Sequence, residues 1–181
     1  MISNLINILT FSRILLAAVI FILLTRSDLY WAAFILFFLA GITDYFDGYL
    51  ARKYNAVSQL GEILDPIADK ILIVFLLFAI SVNLTSYYIG FLSSVIITRE
   101  IWVGALRDFN ARQNRTYATK VTFLGKIKTT IQLTTISTYI LGLALNNMLI
   151  ILISDILLFT SFLVTIYTGI IYTNNTFSQK K

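Results

Sequence analysis

The sequence predicts an all-α integral membrane protein with six transmembrane helices and both termini in the cytoplasm. Three observations predict it. The 181 residues are 58% hydrophobic and only 13% charged, where a soluble domain carries about 25% charged residues; mean hydropathy is +0.84. Charge-free runs cover 14–25, 29–43, 71–98, 129–154 and 156–179, and a span needs about 20 mostly apolar residues. Basic residues fall on alternate connections between these runs.

The elements follow in order. The first helix, near 5–25, has no basic segment before it and no small-residue cleavage site after it, so it reads as a retained span. The second, near 30–51, follows the Arg26-Ser27-Asp28 connection. The third, near 61–81, carries the only proline, Pro66, in its first turn, where a missing N–H costs little. The run 71–98 is broken by the polar stretch 81–86, which separates the third helix from a fourth near 86–109. Asn146 and Asn147 separate a fifth, near 121–145, from a sixth, near 149–172. Six spans use most of the chain, so residues 1–181 form one transmembrane domain with no separate soluble part.

Orientation follows from charge. Arg52 and Lys53 lie between the second and third helices, and Arg107, Arg112, Arg115, Lys120, Lys126 and Lys128 crowd the connection between the fourth and fifth. Lys180 and Lys181 close the chain, whereas the opposite connections hold only Arg26. The excess of Lys and Arg marks the cytoplasmic side. Attraction to anionic lipid accounts for Arg112, Arg115 and Lys120; no nucleic-acid partner is expected.

Composition also removes chemistries. With no histidine and no cysteine, the chain has no imidazole base, no Ser-His-Asp triad, no thiolate and no disulfide. Any metal must be held by oxygen, which favours Mg²⁺ or Mn²⁺.

Five of the nine acids lie between Asp44 and Asp69. Asp44 and Asp47, three apart, share one helical face near the end of the second helix; Asp65 and Asp69, four apart, share one at the start of the third. A short loop makes the two helices antiparallel neighbours and gathers four carboxylates. Four clustered anions near a membrane repel one another unless cations neutralise them. Pairing with Arg52, Lys53 and Lys70 is the plainer account of the same residues.

The pattern decides between them. Asp44-x2-Asp47-Gly48-x2-Ala51-Arg52-x8-Gly61-x3-Asp65-x3-Asp69 specifies eight residues. At roughly one in twenty per position, its chance occurrence in a chain this long is on the order of 10⁻⁸. It resembles the signature of the CDP-alcohol phosphatidyltransferases, membrane enzymes that join a CDP-activated lipid to an alcohol and release CMP. The resemblance implies six helices around a site open to the cytoplasm, a homodimer, and two divalent ions, Mg²⁺ or Mn²⁺. It implies that Asp44, Asp47 and Asp65 are metal ligands and that Asp69 is both ligand and general base. Gly48 and Ala51 let a nucleotide approach the backbone, Arg52 pairs with a carboxylate or phosphate, and Gly61 allows close helix packing.

Further matches narrow the branch. Asn7-x2-Thr10-x2-Arg13 is similar to a first-helix motif near the nucleotide, which implies that Asn7 and Thr10 join Asp44, Gly48, Ala51, Arg52 and Gly61 in binding the CDP-lipid. An arginine inside a span also needs a partner. Leu64-Asp65-Pro66-Ile67-Ala68-Asp69-Lys70, Arg99-Glu100-Ile101, Leu106-Arg107, Gly125-Lys126-Ile127-Lys128-Thr129 and Gln132 resemble the branch that transfers a phosphatidyl group from CDP-diacylglycerol to sn-glycerol 3-phosphate. That acceptor is a dianion, and Arg99, Arg107, Lys126 and Lys128 at the cytoplasmic ends of the fourth and fifth helices are the candidates to bind its phosphate. Cardiolipin-type, phosphatidylserine and phosphatidylinositol phosphate synthesis are the alternatives within the family. Outside it stands a small ion-coupled transporter, which the gathering of acids at one face, away from the midplane, disfavours. Asp155, the only charge between Lys128 and Lys180, either pairs across a dimer contact or reaches for the interface.

Overall fold

The computed structural model describes residues 2–54, 59–114 and 123–178. Among them lie six α-helices: α1 (Ile2–Leu24), α2 (Tyr30–Tyr54), α3 (Gln59–Asn83), α4 (Tyr87–Arg112), α5 (Phe123–Ala144) and α6 (Met148–Phe177). One 3-10 turn, Ser27–Leu29, joins α1 to α2, and the described residues contain no strand. The helices begin and end within a few residues of the positions the hydropathy breaks predict.

The polar breaks are helix caps. After α3, Ser86 N–H donates to the Ser81 carbonyl (3.1 Å) and Thr85 N–H to Val82 (3.2 Å), with Thr85 at φ 46°. After α5, Asn147 N–H donates to the Gly142 carbonyl (2.9 Å) and Asn146 N–H to Leu143 (3.2 Å), with Asn146 at φ 48°. Both are Schellman closures around a left-handed residue. The following residue caps the next helix: Ser86 Oγ accepts from Ile89 N–H, and Asn147 Oδ1 accepts from Leu149 and Ile150 N–H. A Cβ on Gly142 would lie 2.9 Å from Ile151 Cγ1 and 3.2 Å from its backbone nitrogen, so glycine is what lets α5 and α6 close so tightly there.

Helix α1 packs on α2 and α3; α5 packs on α6, α2 and α3; α4 packs on α6 and α3. The core is an apolar seam of Ala17, Ile20 and Leu24 with Ala33, Phe37, Leu76, Ile80, Ile136 and Ile140. The outside is apolar too. Ile8, Phe11, Leu15, Val19 and Ile22 form an exposed stripe along α1, at the spacing that keeps one helical face. By contrast, α6 turns Ser154, Ser161, Thr165 and Thr168 inward. Small and hydroxylated residues at helix contacts with apolar residues outside is the arrangement of a protein dissolved in lipid.

Among the described residues, four stretches are long and apolar enough to cross a membrane: Asn7–Leu24, Ser27–Asp44, Tyr87–Arg112 and Met148–Phe177. Helix α5 falls short of that measure because it carries Lys126, Lys128 and a run of Thr and Gln, whereas α3 opens with Glu62, Asp65, Asp69 and Lys70 before the mostly apolar stretch 71–83. The polar load of these two helices is concentrated where the site lies.

At the opposite end of the bundle the helices are tied by hydrogen bonds. Asn83 Nδ2 donates to the Leu24 carbonyl (2.6 Å) and to Tyr30 Oη (2.8 Å). Tyr139 Oη donates to Asp155 Oδ1 at 2.6 Å, and Tyr88 Oη donates to the Asp155 carbonyl at 3.3 Å. Asp155 thus finds a partner within the chain.

Candidate active site

Two charge clusters meet at the end of the bundle where α2 ends and α3 begins. The first centres on Arg13 of α1, whose side chain is 1% exposed. A buried guanidinium without partners costs several kcal/mol. Arg13 has them: Nη1 donates to Asp44 Oδ1 on α2 at 2.6 Å and to Asp69 Oδ1 on α3 at 2.7 Å. The two aspartates are half exposed, at 53% and 54%. Thr10 lies one turn earlier on α1, fully buried, with Asn7 half-buried a turn before it. Of the predicted i, i+3, i+6 row, Arg13 is the member that meets the carboxylates.

The second cluster joins α4, α5 and α6. Glu100 Oε1 accepts from Arg99 Nη1 at 3.0 Å and from Lys128 Nζ. Arg99 and Lys128 are each only 8% exposed. Arg99 also donates through Nη2 to Thr168 Oγ1 at 2.6 Å. The Tyr172 ring centroid lies 5.7 Å from Arg99 Cζ and 5.9 Å from Arg107 Cζ, within cation–π range of both. A Cβ on Gly169 would sit 3.1 Å from Arg99 Cγ and 3.2 Å from its Nε. That glycine opens the path by which Arg99 crosses α6.

A cavity of about 550 Å³ connects the clusters. Asp69 and Lys70 border it from α3, Arg99, Glu100 and Arg107 from α4, and Lys128 and Gln132 from α5. A Cβ on Gly104 would lie 3.3 Å from Lys70 Nζ, so the gap between α3 and α4 also depends on a missing side chain. Asp69 belongs to both clusters, paired with Arg13 on one side and facing the cations on the other.

Of the predicted site residues, the structure thus brings together Asp44, Asp69, Arg99, Arg107 and Lys128, places Asn7 and Thr10 on α1 two turns and one turn before Arg13, and buries Gly61 in α3. Asp47, Gly48, Ala51 and Arg52 fall on α2, Asp65 on α3 and Lys126 on α5; their side chains lie outside the described part of the structure. Glu100, Thr168, Lys70 and Tyr172 are additions. A buried Arg beside a Glu, and a Lys next to Asp69, were signals for two of them; Thr168 and Tyr172 left none.

No three acidic groups cluster for a metal among the described residues. Asp44 and Asp69 nevertheless present oxygens within 2.7 Å of one nitrogen, close enough to share a single cation. Carboxylates from two helices are donors suited to a hard divalent ion, and the residues present fit one.

The CDP-alcohol phosphatidyltransferase family model matches residues 3–167. The chain belongs to that family. It is 33% identical over 133 residues, 72% of each chain, to the CDP-diacylglycerol–glycerol-3-phosphate 3-phosphatidyltransferase of Escherichia coli (strain K12). The same identity and coverage hold for the enzymes of that name from Escherichia coli O157:H7 and Shigella flexneri serotype 5b (strain 8401). Membership in this phosphotransferase family agrees with the apolar exterior: the chain is a multi-pass membrane transferase of phospholipid biosynthesis.

Proposed function

We propose that this chain transfers the phosphatidyl group of CDP-diacylglycerol to sn-glycerol 3-phosphate, forming phosphatidylglycerophosphate and CMP. The observation that carries the reading is the cavity shared by Asp69 and the basic cluster. Lys70, Arg99, Arg107 and Lys128 against Asp69 and Glu100 leave it with two excess positive charges, matched to a phosphomonoester dianion. A neutral acceptor such as glycerol would leave those charges uncompensated at a membrane face. The named activity of the similar enzymes supports the same acceptor.

In this reading Arg99, Arg107, Lys126 and Lys128 hold the acceptor phosphate. Its hydroxyl oxygen attacks the lipid-linked phosphorus, the bond from that phosphorus to the CMP oxygen breaks, and CMP leaves with the electron pair. The hydroxyl proton passes to the Asp69 carboxylate, which borders the cavity. Asp44, Asp47, Asp65 and Asp69 are the residues that would hold two Mg²⁺ or Mn²⁺ ions, whose bound charge neutralises the diphosphate and polarises the hydroxyl. Asn7, Thr10, Gly48, Ala51, Arg52 and Gly61 line the approach of the CDP moiety.

The same reading extends to the whole molecule. All six helices cross the membrane as one domain over residues 1–181. Both termini and the site face the cytoplasm, as the basic connections favour, and two copies form the working unit.

The decisive experiment supplies purified protein in detergent with CDP-diacylglycerol, Mg²⁺ or Mn²⁺, and separately glycerol 3-phosphate, glycerol, serine, inositol phosphate or phosphatidylglycerol. CMP release is expected with glycerol 3-phosphate far above the others. Equal turnover with free glycerol would refute the phosphate pocket, and no CMP release with any acceptor would refute the activity.

A further inference from the structure

We infer that Arg13 is the resident counter-cation of the acidic site, a positioning residue that holds Asp44 and Asp69 together in the absence of metal and competes with a divalent ion for the same carboxylates. The inference rests on the metal reading of these aspartates proposed above and assigns a role to a residue outside the aspartate motif.

The geometry carries it. Two carboxylates on separate helices would repel each other at the separation that one guanidinium nitrogen imposes, 2.6 and 2.7 Å from each. Like charges this close are costly in a low-dielectric setting. Arg13 offsets that repulsion. It is also fixed: its side chain is 1% exposed, and one turn deeper on α1 Ala17 and then Ile20 are fully buried. Burial on that side leaves the guanidinium no apolar-free path away from the carboxylates, so its charge stays at the site when another cation arrives. The aspartates, by contrast, are half exposed and open to that cation. A permanent positive charge beside a dication site lowers the dication's affinity, while it keeps the empty site from splaying apart. Arg13 therefore trades metal affinity for a site that retains its shape between turnovers.

The test is Mn²⁺ binding to the full-length chain in detergent by isothermal titration calorimetry, with thermal unfolding measured with and without Mn²⁺ and no lipid substrate present. Arg13→Gln keeps hydrogen-bonding capacity but removes the charge. It is expected to unfold at lower temperature than wild type without metal, to bind Mn²⁺ about tenfold more tightly, and to gain more in Tm from Mn²⁺ than wild type does, as linkage requires of a tighter ligand. Arg13→Lys restores the charge and is expected to bring the Mn²⁺ Kd back within about threefold of wild type. Unchanged or weaker Mn²⁺ binding in Arg13→Gln, or an equal loss of Tm with and without Mn²⁺, would overturn the competition and leave Arg13 a structural residue only. Should Arg13→Gln fail to fold in both conditions, a tenfold change of Kd in Arg13→Lys overturns it instead. Failure of wild type to bind Mn²⁺ at all would remove the metal reading itself, and this inference with it.

Discussion

The acidic and basic clusters are built on one plan with the signs and the burial exchanged. In each, a single ion is shared by two of opposite charge: Arg13 by Asp44 and Asp69, Glu100 by Arg99 and Lys128. In the acidic cluster the shared ion is buried and its partners are half exposed. In the basic cluster the partners are the buried ones, 8% exposed each, and Glu100 is 21% exposed. The first arrangement presents oxygens outward to something that must enter and leave. The second stores cations in a low-dielectric interior, where they are tolerable only because an anion is built in beside them.

Breaking the basic cluster should therefore have the largest effect on the folded state. Glu100→Gln leaves Arg99 and Lys128 without their common anion and is expected to cost about 3 kcal/mol, near the low end for stranding a buried charge; a shift in denaturation midpoint in detergent would measure it. A loss below about 0.5 kcal/mol, the usual scale of a surface substitution, would mean that the two cations are solvated after all. Next comes the acidic side. Asp69→Asn is expected to lower kcat by at least ~10²-fold, a typical general-base contribution, while keeping much of the affinity for CDP-diacylglycerol. Asp44→Asn should instead lose metal-dependent nucleotide binding along with activity. Titration of both variants with a CDP-lipid analogue and Mn²⁺ separates the roles, and equally poor binding by the two would make Asp69 chiefly a ligand. The smallest effect belongs to Gly169→Ala. Its methyl group would press on Arg99, and a displacement of a few tenths of an ångström should raise the acceptor KM about threefold without changing the lipid KM. Thermal stability should hold or rise, since Ala is the better helix former. A fall in both would show that crowding disturbs the fold rather than the pocket.

The helices were legible because lipid imposes a length and a hydropathy on each of them, and because Ser81–Ser86 and Asn146-Asn147 are polar where spans cannot be. That Asp44 and Asp69 come together was legible from their spacing and the short connection between α2 and α3. What remained hidden is relational. Nothing in the sequence of α1 says that Arg13 reaches both α2 and α3, because that depends on how three helices are rotated about their axes. Thr168 and Tyr172 read as ordinary members of an apolar helix, and become site residues only because α6 lies against Arg99. Asp155 was undecided between another copy and the interface. Its actual partner, Tyr139, sits across the short turn that joins α5 to α6.

Those short turns have a last consequence, which concerns counting. The α3–α4 and α5–α6 hairpins are each closed by a three-residue connection with its hydrogen bonds fully specified, so each functional side chain is placed by its distance in residues from a turn. Arg99 lies thirteen residues past Ser86, and its partner Thr168 twenty-one past Asn147. Removing one residue from either interval would rotate everything beyond it by about 100° and draw it back about 1.5 Å, enough to part Arg99 from Thr168 and Glu100. The lipid-facing positions in those intervals are free to vary in identity, but not in number: the turns serve as the zero marks of two rulers, and the site is read off at the far ends.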